Sequence, residues 1–137
     1  MFKTLFKNRY RLYMLANFGV ILLVLTFFKF IPEKKVAALL AGSLFLISPL
    51  AILFFEYKAQ VLFKKFSSYG ALIFLALSAV PIFYLRVANW SEEFSSLSLF
   101  GLSGNQMHEL SNKIFMLMLV CFVVDAFRIE LKNQKAT

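Results

Sequence analysis

Of the 137 residues, 61% are hydrophobic and only 16% are charged. A soluble domain has about 45–50% apolar and about 25% charged residues, so this chain has too few charged side chains to cover itself in water. The same composition excludes an intrinsically disordered chain, because disorder requires low hydrophobicity. We therefore expect an all-α integral membrane protein that forms a single domain over residues 1–137.

Lysine and arginine outnumber aspartate and glutamate by 15 to 7, which gives a formal net charge of +8. In a soluble protein this excess would suggest nucleic acid as a partner, but membrane proteins collect basic residues in their cytoplasmic segments. We therefore expect the chain to interact with a lipid bilayer and not with nucleic acid. The single cysteine, Cys121, excludes an internal disulfide and the multi-cysteine metal motifs, and we expect neither cofactor nor metal.

Four segments are apolar enough over about 20 residues to cross the hydrocarbon core as helices. They are 12–31, 36–55, 69–88 and 110–129. The first follows a basic segment, as in a signal peptide, but it is full length and lacks a small-residue cleavage motif, so we expect it to be retained. The fourth is the weakest, because its uncharged run covers only 114–124. The sequence predicts an antiparallel bundle of four transmembrane helices.

The connections between these segments carry unequal numbers of basic residues. The N-terminal, 56–68 and C-terminal segments together contain ten lysines and arginines, and the opposite side contains five. Because basic residues concentrate on the cytoplasmic side, we expect both termini in the cytoplasm, with a bacterial inner (plasma) membrane as the location. No glycine or proline interrupts 56–66, so the second helix is expected to continue through it.

The 89–112 segment is predicted to be a long extracytoplasmic loop. Loops of this length in compact domains are often functional. Trp90 suits an aromatic anchor at the membrane interface. Further apolar side chains would let part of the loop lie on the membrane surface: Phe94, Leu97, Phe100 and Leu102.

Polar residues within the spans are the first candidates for function. Asp125 is the only acid expected within the membrane, where an acid is a candidate proton or cation site. We favour an ion pair instead, either with Arg128 on the same helix face or with a basic residue of another helix. Asn17 is expected to form a hydrogen bond between helices. Lys29, near the end of the first span, is expected to extend to the lipid headgroups.

A second set of candidates concerns helix packing. Small residues let a neighbouring helix approach closely, and those near the start of the second span include Ala38, Ala41, Gly42 and Ser43. Pro49 and Pro81 lie inside the second and third spans, and we expect each to kink its helix.

Three functions are compatible with these residues. The leading hypothesis is a non-catalytic accessory or assembly subunit of a larger membrane protein complex, which contacts other subunits or a second copy through Asn17 and the small residues. The alternative is a small homo-oligomeric transporter or channel whose path is lined by Asp125, Pro49 and Pro81. The third is a membrane-embedded lipid-modifying enzyme that uses His108 and Glu109. Because no catalytic or metal-ligand constellation is present, we expect no enzyme.

Overall fold

The computed structural model describes residues 8–136, which are helical apart from their connections and one short β-hairpin. The four long helices are α1 (Arg9–Phe30), α2 (Lys34–Lys58), α3 (Phe66–Ala88) and α4 (Gly104–Ala136). By length and composition, α1, α2 and α3 are long and apolar enough to cross a membrane, which is consistent with a membrane location.

Contacts between helix ends show that successive helices run in opposite directions. Arg9 at the start of α1 lies 2.9 Å from Glu56 near the end of α2. Arg86 near the end of α3 lies 2.9 Å from His108 near the start of α4. We call the end of the bundle that contains Arg9 and Glu56 the terminal end, because both termini of the described chain lie there. The end that contains Arg86 and His108 is the loop end.

The connection at the terminal end, residues 59–65, is not helical, so the predicted continuation of the second helix is wrong. Gln60 takes a left-handed φ of 60°. The Val61 N–H donates to the Glu56 carbonyl and the Gln60 N–H to the Tyr57 carbonyl, both at 3.0 Å, which is the Schellman arrangement that ends a helix. Glutamine stands where glycine is usual, so the sequence contained no stop signal.

The loop-end connection between α3 and α4 is shorter than predicted and covers residues 89–103. It contains a hairpin that pairs Ser98–Leu99 with Leu102–Ser103. Phe100 and Gly101 form its turn with φ of 53° and 78°, as in two-residue hairpin turns.

Residues 104–112 belong to α4 because a capping box starts the helix at Ser103. The Ser103 hydroxyl accepts from the Gln106 N–H at 3.3 Å, and the Gln106 side-chain oxygen accepts from the Ser103 N–H at 2.9 Å. These two bonds satisfy N–H groups that a helix start leaves unpaired. The Ser-x-x-Gln spacing was a readable signal for this boundary.

The core lies where all four helices meet, and aromatic rings fill its centre. Phe45 of α2, Phe74 of α3 and Phe115 of α4 pack edge to face, with ring centroids 5.4–6.1 Å apart. The buried residues of α4 recur every three or four positions, as on one face of a helix. In the middle of the helix they are Ile114, Phe115, Met118, Leu119 and Phe122.

The small residues of α2 pack inside the chain. Ala38 and Ala41 are buried. A Cβ atom on Gly42 would lie 3.2 Å from Cδ2 of Phe83, so α2 and α3 approach closely there. Ser43 donates its hydroxyl hydrogen to a carbonyl of its own helix. The closely packed neighbour that the sequence predicts is therefore α3 of the same chain.

The two prolines affect their helices differently. Pro49 is buried within α2, which is continuous from Lys34 to Lys58. Pro81 lies two residues after the end of a π-helical stretch, Leu75–Ala79, within α3. Proline removes an N–H and crowds the carbonyl one turn earlier, and a wider turn relieves that crowding. Only Pro81 accompanies a departure from α geometry.

Gly104, the first residue of α4, packs closely against Phe94 of the 89–103 connection. Substitution of Gly104 tests that contact. A Cβ on Gly104 would lie 2.0 Å from the Phe94 carbonyl oxygen, which is backbone and cannot move aside. We expect Gly104→Ala to lower the free energy of unfolding in detergent micelles by about 1–3 kcal/mol. Gly19→Ala is the control, because its Cβ would meet nothing within 4 Å and should stabilise α1 by about 0.5–1 kcal/mol. Equal unfolding curves for the two variants would contradict this contact.

Candidate functional site

A fully buried carboxylate, Glu56, lies at the terminal end of the bundle. Its Oε1 accepts hydrogen bonds from Arg9 Nε and from the Tyr13 hydroxyl, and its Oε2 accepts one from the Tyr10 hydroxyl, each at 2.9 Å. Arg9 balances the charge, and both tyrosines come from α1 one turn apart. A buried carboxylate is tolerated when its charge and its lone pairs are both satisfied, so this cluster fastens α1 to α2.

Asp125 lies at the same end and caps α3 from outside that helix. Its Oδ2 accepts from the Ser67 N–H at 2.7 Å and from the Ser67 hydroxyl at 2.6 Å. The residue at the N-cap of α3, Lys65, makes no side-chain capping bond. A negative charge here also interacts favourably with the helix dipole. Asp125 therefore fastens α4 to the start of α3.

The predicted ion pair between Asp125 and Arg128 is wrong. Within residues 8–136 no ion pair joins them. The Arg128 guanidinium instead lies over the ring of Phe66, with Cζ 5.4 Å from the centroid. The sequence places both residues on one face of α4, but the carboxylate is buried and accepts both of its hydrogen bonds from Ser67 of α3.

The remaining polar candidates lie apart from each other. Asn17 Oδ1 accepts from the Ser48 hydroxyl of α2 at 2.8 Å, so the predicted hydrogen bond between helices is present. Its Nδ2 donates to the Tyr13 carbonyl. Lys29 is exposed at the loop end, with Nζ 5.5 Å from the ring centroid of Phe30. The structure therefore does not gather Asn17, Lys29 and Asp125 into one site.

The loop end contains a cluster that the sequence did not predict, formed by Arg86, His108 and Phe94. Arg86 Nη2 lies 2.9 Å from His108 Nε2. The guanidinium carbon is 4.2 Å from the Phe94 ring centroid, and that ring lies 4.7 Å from the imidazole centroid. Phe94 thus holds both polar side chains in place from the 89–103 connection.

Hydrogen-bond chemistry fixes the state of His108. Arginine has donors only, so His108 Nε2 must accept and the ring proton must lie on Nδ1. Partial burial and the positive charge of Arg86 lower the pKa of His108 below its ordinary value of 6.5, which favours this neutral form. The imidazole therefore orients the guanidinium without neutralising it.

The half-buried Arg86 has no carboxylate partner among residues 8–136. None of the ion pairs within the described part of the chain includes it. His108 is followed by Glu109, which pairs with Lys113 at 3.4 Å on the exposed side of α4. His108 and Glu109 thus face different surroundings, and no group of three or more potential metal ligands occurs among residues 8–136.

Two cavities meet at Arg86. The apolar cleft, of about 270 Å³, is bordered by all four helices, and its lining includes Ala41, Phe45 and Phe115. The polar cavity, of about 410 Å³, lies at the loop end and is lined by side chains that include Lys34, Lys35, Trp90, Glu92 and Glu93. Phe28, Ala38 and Arg86 border both, so the two cavities adjoin each other.

A separate groove of about 560 Å³ runs between α1 and α2, and we call it the α1–α2 groove. Small side chains line it, among them Ala16, Ser48 and Ala51. Arg9 and Lys58 lie at its terminal end. It shares no lining residue with the cavities around Arg86.

Sequence reasoning missed Glu56 and Arg86, although each left a signal. Glu56 is the only acid between Glu33 and Glu92, and Arg86 is the only charge in the predicted third span. A lone charge close to a span needs a partner or a ligand, because burial of an unpaired charge is costly.

Comparisons with protein families, with curated proteins and with solved structures found no match to this chain.

Asp125 is expected to act chiefly through its cap on α3. Asp125→Ala leaves the Ser67 N–H and hydroxyl without their acceptor, so we expect a loss of about 1–3 kcal/mol in the free energy of unfolding in micelles. Glu130→Ala is the control, because Glu130 pairs with Arg11 at a partly exposed position and should change stability by no more than about 1 kcal/mol. Equal losses would show that the cap contributes little.

Proposed function

We propose that this chain is a non-catalytic accessory or assembly subunit of a larger membrane protein complex, and that all four helices cross the bilayer. α4 has 33 residues, about 50 Å of helix, which exceeds the hydrocarbon core of about 30 Å. Opposite its buried face it exposes apolar side chains that suit lipid: Met116, Leu117, Val120, Val123, Val124 and Phe127. Its charged and polar residues lie mainly towards its ends, outside 114–124.

The same proposal places the terminal end in the cytoplasm of a bacterial cell, at the inner membrane. The ten basic residues of the chain ends and the 56–68 segment support this orientation against five on the other side. Two of the ten, Lys3 and Lys7, lie outside the described residues.

The α1–α2 groove is the observation that carries the assembly role. Within its most apolar stretch, α1 has only 11% of its residues buried inside the chain, against 33% for α3. Helices in lipid associate through close packing and polar contacts, which small side chains permit. Ala16, Ser48 and Ala51 provide that access in the groove. We therefore infer that a transmembrane helix of another subunit occupies it.

Charge at one end of the groove adds a requirement for that helix. Arg9 and Lys58 border the terminal end, and the charge of Arg9 is already balanced by Glu56. Lys58 is exposed and makes no ion pair within residues 8–136. A partner helix with an acidic side chain at this level complements Lys58. Of the small residues of α2 that the sequence assigned to assembly, Ala38 and Ala41 are buried and Gly42 approaches Phe83 of α3, so we assign the assembly role to the groove instead.

The other two functions stay predictions. For transport, Asp125 offers Oδ1, which is buried without a hydrogen-bond partner among the described residues, but its other oxygen is committed to Ser67. For lipid modification, His108 and Glu109 are directed to different partners, Arg86 and Lys113.

Cysteine labelling tests the orientation. In a Cys121→Ser background, we expect Ser91→Cys in the 89–103 connection to react with a membrane-impermeant maleimide in intact cells. Lys132→Cys, at the terminal end, should react only after lysis, because the bilayer shields the cytoplasmic side. Reaction of Lys132→Cys in intact cells would place that end outside.

Photo-crosslinking in native membranes tests the groove. A photoreactive residue at Ala16 is expected to give a discrete adduct with another membrane protein, and Ala51→Phe should abolish it by filling the groove. The control position is Val120, which is exposed on α4 outside the groove and should give no such adduct. An adduct only with a second copy of the chain, or the same adducts from both positions, would contradict the accessory role.

A further inference from the structure

The cluster of Arg86, His108 and Phe94 has the features of a ligand site, and it lies apart from the α1–α2 groove. Arg86 presents its guanidinium at the junction of the apolar cleft and the polar cavity. His108 and Phe94 orient it, and neither neutralises it. A half-buried guanidinium without a carboxylate partner favours an anion, and its planar fork matches phosphate oxygens.

The start of α2 adds positive potential to the same cavity. Lys34 and Lys35 are its first helical residues and line the polar cavity. Glu33 at the N-cap makes no side-chain capping bond, and the first turn contains no acid, so N–H groups of that turn remain available. Helix starts of this kind bind phosphate. Glu92 and Glu93 also border the cavity, but both are exposed and neither pairs with these cations at ion-pair distance.

The adjoining cleft adds an apolar compartment to this anion site. Its walls are mostly apolar, and the small residues Ala38, Ala41 and Gly42 leave the space open. The 410 Å³ of the polar cavity lies within the usual range of ligand pockets, about 300–1,000 Å³, and the 270 Å³ of the adjoining cleft lies just below it. A free anion would use only the polar part, whereas an anion with a hydrocarbon chain would fill both.

We propose that these adjoining cavities bind one anionic phospholipid. Its phosphate lies against Arg86 and the start of α2, and part of an acyl chain enters the cleft. The lysines exclude cationic headgroup substituents, so a lipid with net negative charge binds in preference to a zwitterionic one. His108 positions Arg86 through its neutral imidazole.

Trp90 provides the reporter, because it is the only tryptophan and lines the polar cavity. The full chain is reconstituted in phosphatidylcholine vesicles, and its fluorescence is followed as phosphatidylglycerol with brominated acyl chains is added. Bromine quenches tryptophan at short range. We expect half-maximal quenching at a mole fraction about tenfold lower than with brominated phosphatidylcholine. Equal mole fractions for the two lipids would overturn the proposal.

Three variants identify the residues responsible. Arg86→Gln should abolish the preference for phosphatidylglycerol, and Lys113→Gln, which removes an exposed cation that lines neither cavity, should keep it. Ala38→Leu should reduce quenching by closing the junction while leaving every charge in place. Circular dichroism establishes that each variant is folded. An unchanged preference in Arg86→Gln, its loss in Lys113→Gln or full quenching in folded Ala38→Leu would each overturn the proposal.

A final arm separates lipid from free phosphate. If millimolar inorganic phosphate fully reverses quenching by the brominated lipid at constant ionic strength, the site recognises the free anion and the lipid assignment is wrong. If quenching persists, the acyl chain contributes to binding as proposed.

Discussion

Buried polar groups in this bundle require partners within the chain, because the apolar core supplies none; among the described residues, Ser68 Oγ and Asp125 Oδ1 are the buried side-chain atoms left without a hydrogen bond. Glu56 and Asp125 show how the requirement is met at the terminal end. Glu56 gathers three donors from α1, and Asp125 takes two from the start of α3. Each carboxylate thereby joins two helices, α1 to α2 and α3 to α4. Removal of either partner leaves a buried charge or donor uncompensated, which makes these contacts costly to break.

At the loop end, by contrast, the neighbours of Arg86 leave its charge in place. Arg86 is held by a neutral histidine and an aromatic ring, neither of which cancels its charge. The buried carboxylates of the terminal end are therefore committed to partners within the chain, whereas Arg86 at the loop end retains the capacity to bind an anion. Glu56 and Asp125 therefore stabilise the fold, whereas Arg86 is a candidate for ligand binding. The proposed lipid site accordingly lies at the loop end.

Small side chains line both the apolar cleft beside Arg86 and the α1–α2 groove. Ala38, Ala41 and Gly42 let α2 approach α3, and they also leave the cleft that adjoins Arg86. Ala16 and Ala51 open a groove on the outer side of α1 and α2. The first set acts within the chain, and the second is accessible to a neighbouring helix. The proposed functions of binding lipid and joining a complex therefore use separate surfaces.

Composition and hydropathy alone predicted the all-helical fold and the presence of its long helices, because the length and hydropathy of an apolar segment are local properties. Ser103 and Gln106 would also have given the start of α4. The end of α2 at Gln60 was hidden, since glutamine rarely takes a left-handed conformation. Only the tertiary structure paired Glu56 with Tyr10, Asp125 with Ser67, and Arg86 with His108. These partners lie 22 to 58 residues apart in sequence, and their pairing depends on which helix faces pack together.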